Sequence, residues 1–140
     1  MRRPRFAVEE VHRFLAILTG VFVVLHGGSL LLDRVVPIGL VHEVVPFTSS
    51  YGPFAVGLGV CTAELLAAVG ISNACRKRVP YDAWRKLHYL TFPAWLVASL
   101  HGILAGTDAF DPWFAAIAAG TFAAVAVTLV SRCSARALRA

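Results

Sequence analysis

The sequence predicts an all-α protein, an integral membrane four-helix bundle, and three observations carry that prediction. Of its 140 residues 58% are hydrophobic and only 15% charged, and its mean hydropathy is positive. The apolar residues gather into four runs, at about 11–32, 52–74, 84–104 and 113–130, each near the ~20 residues that cross a ~30 Å hydrocarbon core. None of the runs alternates as a barrel strand would, so backbone groups deprived of water must be bonded within helices. Residues 1–140 are read as one transmembrane domain.

The formal net charge of +5 is explained by where the basic residues lie. Arg2, Arg3, Arg5 and Arg13 lead into the first run, Arg76, Lys77, Arg78, Arg85 and Lys86 join the second to the third, and Arg132, Arg136 and Arg139 follow the fourth. Only Arg34 falls elsewhere. The positive-inside rule then places both termini and the 76–86 loop in the cytoplasm of a multi-pass protein of the cell inner (plasma) membrane, in contact with lipid. Basicity of this kind records topology, and no nucleic-acid partner is expected. The first run is too long for the apolar core of a signal peptide and is read as a retained helix. Of the three cysteines, Cys61 lies within a run and Cys75 and Cys133 near the cytoplasmic face, where thiols stay reduced, so no disulfide framework is implied.

Taken in order, the first helix carries His12 and His26 fourteen residues apart, with Gly20, Gly27 and Gly28 allowing close approach to its backbone. The outer connection, 33–51, is apolar for a loop and broken by Pro37 and Pro46; it is expected to fold back on the rim of the bundle. Its His42 is read as a surface group. The second helix holds Glu64, expected as a buried carboxylate that relays protons, contacts a quinone or steadies a cofactor, or else bonds a threonine of the fourth helix while protonated. The basic turn after it contains Pro80, with Tyr81 and Trp84 as interface anchors. The third helix carries His88 and His101 thirteen residues apart, with Pro93 between them. The fourth, rich in Ala, Gly and Thr and without histidine, closes the bundle.

The histidines are the candidate functional residues, because ionisable groups inside a membrane are costly and mark function. With one span between them, helices one and three run the same way. His12 therefore falls level with His88, and His26 with His101, the two levels being roughly 20 Å apart at 1.5 Å per residue. Imidazole binds several metals, but two nitrogens are too few for a structural zinc site, and no cysteine or carboxylate is expected level with either pair. Haem brings four nitrogens of its own and needs only two more. No Cys-x-x-Cys-His motif is present, so the expected cofactor is haem b, two per chain, and saturated iron favours electron transfer over binding at the metal. Fourteen residues return His26 to the face of His12; thirteen leave His101 well round from His88, so Pro93 is expected to kink or rewind the helix. Arg13 and Arg85, with Lys86, lie beside the inner pair and are candidate partners of haem propionates as well as topology markers.

The segment WRKLHYLTFPAWLVASLHGILAGTD, 84–108, together with the histidine pair of the first helix and more loosely VPFTSSYGPFAVGLGV, resembles the ferric-reductase-like transmembrane domain family. That family includes the membrane parts of NADPH oxidases and metalloreductases and the haem subunit of the methionine-sulfoxide reductase system. The resemblance implies two stacked b haems passing electrons across the membrane, with His12, His26, His88 and His101 at the ligand positions. No Gly-rich dinucleotide motif follows the fourth helix, so the chain is expected to be the electron-transfer component of an oxidoreductase, supplied by a separate flavoprotein or by quinol. The expected function is therefore electron transfer to an acceptor on the outer side, such as a ferric chelate, oxygen or a partner protein. The alternative is a non-redox membrane assembly subunit whose histidines are structural or relay protons. A metal-ion transporter is a weaker third reading, for want of clustered intramembrane carboxylates.

Overall fold

The computed structural model describes residues 5–34, 36 and 38–137; Arg2, Arg3, Pro37 and Arg139 lie outside the described residues, as do the side chains of Arg5 and Arg136. Six helices follow one another: α1 (Arg5–Leu32), α2 (Leu40–Val44), α3 (Pro53–Ala74), α4 (Tyr81–His88), α5 (Thr91–Ala105) and α6 (Pro112–Ala137). Grouped by length and hydropathy they make four membrane-crossing rods, Phe6–Leu32, Pro53–Ala74, Tyr81–Ala105 and Pro112–Ser134, so the protein is an all-α, multi-pass membrane bundle. Large apolar side chains such as Phe14, Phe22, Ile71, Leu96 and Val127 are exposed, which is the expected surface where the solvent is lipid.

The tightest packing is between α3 and α5. It uses small residues: Ala94 is 0% exposed, and Thr62 and Ser72 are buried with their hydroxyls donating to the carbonyls of Leu58 and Val69 in the same helix. Backbones that approach closely replace the hydrophobic drive that lipid cannot supply. By contrast α1 and α6 touch the rest sparsely; α6 leans on α5 through Trp95 and Phe122, whose rings lie 4.5 Å apart.

The third rod is one helix with a tightened turn. Tyr89 and Leu90 keep right-handed dihedrals with ψ of −16° and −12°, and the amides of Leu90 and Phe92 donate three residues back, to Leu87 (3.0 Å) and Tyr89 (3.2 Å). Such bonds wind about 120° per residue instead of about 100°. The rewinding expected of Pro93 is found at the residues three and four before it. Pro93 is the third residue of α5; it has no amide to donate to the Tyr89 carbonyl and its ring crowds that carbonyl, which accepts from Phe92 instead.

The connection after α1 folds back as expected. Gly52, in the left-handed region at φ 47°, opens α3 with Pro53 as its first residue. Phe47 also has a positive φ, 64°, a costly conformation for an aromatic residue. Its ring stacks on Phe54 at 6.2 Å and lies so close to Gly57 that any side chain there would collide with it. Gly57→Ala should therefore destabilise the protein by about 1–3 kcal/mol, the usual cost of overpacking, seen as a lower thermal midpoint in detergent. Gly70→Ala, which meets nothing within 4 Å, should not lower it.

Candidate functional site

The four histidines meet as two pairs. His12 faces His88 with ring centroids 6.0 Å apart and planes at 71°, and His26 faces His101 at 6.1 Å and 73°. A direct N–H···N hydrogen bond would draw the centroids to about 5 Å. One metal ion shared by two ring nitrogens, each about 2 Å from it, sets the centroids about 6 Å apart. The spacing at both levels thus suits an ion between the rings and is too wide for a hydrogen bond. Among the described residues no cluster of three or more His, Cys, Asp or Glu forms a metal site, so a metal held here would need the rest of its ligands from elsewhere.

Space around the second pair has a matching shape. A cavity of approximately 440 Å³ lies on one side of His26 and His101, bounded by Thr19, Phe22 and Val60, and another of approximately 450 Å³ lies on the other side, bounded by Tyr51, Trp113 and Phe114. The two cavities share His26, Leu30, Val56 and His101 in their walls.

The ring of His101 is fixed from behind. Its Nδ1–H donates to the Ala55 carbonyl of α3 at 2.7 Å, which assigns the tautomer and leaves Nε2 unprotonated as a potential ligand. At the basic end the arrangement differs. His88 stacks on Trp84, 5.2 Å between centroids and 23° between planes, and the guanidinium of Arg76 lies 4.3 Å over the Trp84 ring. Among the described residues, His88 Nδ1 and Trp84 Nε1 are both buried without a hydrogen-bond partner.

The remaining candidates are dispersed. Arg13 is exposed, immediately after His12 on α1. Arg85 is engaged elsewhere, 3.7 Å from Asp82 and over the Tyr81 ring. His42 is held by the loop, its Nδ1–H donating to the Thr48 hydroxyl at 3.1 Å, which in turn donates to the Val45 carbonyl.

Two expectations about carboxylates are corrected. Glu64 is exposed, because α3 turns Val56, Gly59, Val60 and Ala63 to the cavity and Thr62, Val69 and Ser72 inward, and position 64 falls about 100° beyond 63. The α6 threonines bond carbonyls of their own helix. A carboxylate does lie level with one pair: Glu43 on α2 lines the same cavity as His26 and His101, and Gly27 makes room for it, since a Cβ there would come within 2.9 Å of Glu43 Oε2. Gly27 and Glu43 are sixteen residues apart across a loop, so spacing gave no sign of the contact.

Fold and site together define a class, an integral membrane bundle built around histidine pairs facing each other at two depths. Residues 3–99 match the family described as ferric reductase like transmembrane component, well over half of the chain, and the chain belongs to that family of membrane electron-transfer modules. No curated protein and no solved structure matches it.

Because the Trp84 Nε1–H has no acceptor, Trp84→Phe should change thermal stability little. Trp84→Ala removes both the stack on His88 and the cation–π contact, and should lower stability by about 1–2 kcal/mol, measured by thermal unfolding in detergent.

Proposed function

We propose that this chain is a dihaem b-type electron carrier, with one haem held between His12 and His88 and one between His26 and His101. The observation that carries the proposal is the pair of ring separations, 6.0 and 6.1 Å. The family's association with haem and the slot on either side of the second pair agree with it. Haem, when bound, supplies a one-electron couple that imidazole alone lacks.

The protein's own residues do the rest. Each histidine pair would supply two imidazole ligands to a haem, and iron held in that way would carry electrons rather than bind a substrate. Apolar walls such as Leu15, Leu18, Phe22 and Val60 keep water from the space between levels. Arg13 is placed to offset propionate charge at the basic end, and Arg85 does so once released from Asp82. By the positive-inside rule the basic end faces the cytoplasm of a plasma-type membrane, so His12 and His88 would hold the haem nearer a separate flavoprotein or quinol donor, and His26 and His101 the one nearer an outer acceptor.

Purified in detergent after expression with ample haem, the protein should give reduced-minus-oxidised b-type bands with about two haems per chain. His12→Ala and His88→Ala should each lose one haem, and His26→Ala and His101→Ala the other. If each pair held haem iron with its rings at 71° and 73°, the ferric state would give strongly anisotropic low-spin EPR signals. A colourless protein with unaltered folding would instead support the non-redox membrane subunit.

A further inference from the structure

Helix α3 carries no histidine, yet it is the element in closest contact with one. The Ala55 carbonyl receives the His101 Nδ1–H at 2.7 Å. Four residues on, a Cβ added to Gly59 would lie 2.7 Å from His101 Cε1, 2.9 Å from Nδ1 and 3.1 Å from Nε2. All three are shorter than an ordinary contact of about 3.5 Å.

The two observations have one geometric cause. In an α-helix the carbonyl of residue 55 points along the axis toward the amide of residue 59, and its second lone pair is reached from the side, as Ser and Thr side chains do within their own helices. An outside ring that takes this lone pair must lie against residue 59, and it fits only if that residue has no side chain. We propose that Ala55 and Gly59 are positioning residues for the far-level haem: the carbonyl fixes the tautomer and direction of His101, and the glycine gives the ring the space to reach it. The proposal rests on the haem assignment made above. Glycine in a helix interior costs about 1 kcal/mol relative to alanine, and at position 59 that cost is offset by a ligand held in place. His88 is set differently, by Trp84 and Arg76, so the requirement applies to one level only.

The test uses the full chain in detergent, with haem-to-protein ratio, EPR of the ferric state and a spectroelectrochemical titration as readouts. Gly59→Ala should release the far-level haem, so that about one of two remains as in His101→Ala, or retain it with a changed EPR signal and midpoint potential. The His12/His88 signal should be unchanged. Gly70→Ala, on the same helix with nothing within 4 Å, should match the unsubstituted protein in every readout. With the ring removed the collision disappears, so Gly59→Ala combined with His101→Ala should behave as His101→Ala alone.

Two full haems with unaltered signals in Gly59→Ala would overturn the proposal. So would a double variant that loses more than His101→Ala does, since Gly59 would then serve helix packing in general. If Gly59→Ala does not accumulate, recovery of accumulation in the double variant supports the proposal and continued loss overturns it. An unsubstituted protein without haem removes the parent assignment, a result separable from either.

Discussion

The structure depends on imidazoles facing each other across a gap. Lipid gives helices no hydrophobic reason to associate, so they are held by close backbone packing, hydrogen bonds or something bound between them. Helices α3 and α5 have the first of these. Helix α1 has little of it: Phe14, Leu15, Ile17 and Phe22 are exposed, and its approach to the others is sparse. What α1 presents to the bundle is a cavity wall and two imidazoles. Any ion bridging His12 to His88 and His26 to His101 would therefore be a staple as well as a cofactor, and its binding energy would count as folding energy. The chambers beside His26 and His101 go with the same arrangement, since helices that stand apart there leave space between them.

Much of this was legible in the sequence. Span length and hydropathy gave the four rods, and topology alone paired the histidines by level, because helices separated by one span run parallel. What periodicity could not supply was the face. Thirteen residues of regular helix carry His101 away from the direction of His88, and the resolution lies in a backbone detail, the tight turn at Tyr89 and Leu90. Pro93 marked it, because a proline within a helical rod acts on the carbonyl four residues before it, here that of Tyr89; what the sequence did not show is how far that turn would swing His101.

The carboxylates show the opposite limit. Sequence reasoning counted Glu64 as interior because it lies in a span, but interior to the membrane is not interior to the protein. A helix with one face on α5 and another on the cavity still has a third that meets lipid, and Glu64 is on it. Glu43 was passed over because it lies in a loop, yet the loop folds back and brings its carboxylate to the wall of the cavity that holds His26 and His101. Contacts of that kind join residues far apart in the chain and are legible only in three dimensions.

The two histidine pairs are alike in separation and angle, and unlike in what stands behind the rings. At the far level a backbone carbonyl accepts the Nδ1–H of His101, which makes the ring a stronger donor toward whatever Nε2 binds. At the basic end His88 has an indole against its face and no acceptor for Nδ1. A carbonyl that belongs to a helix cannot be substituted away and moves only if the helix moves, whereas Trp84 on α4 and Arg76 on the turn before it act through side chains. The far level is thus tied to the most closely packed part of the bundle, and the basic-end level to a part exposed to whatever docks there. The two histidine pairs are in this way backed differently, His101 by the carbonyl of a helix without histidine and His88 by an indole of its own helix.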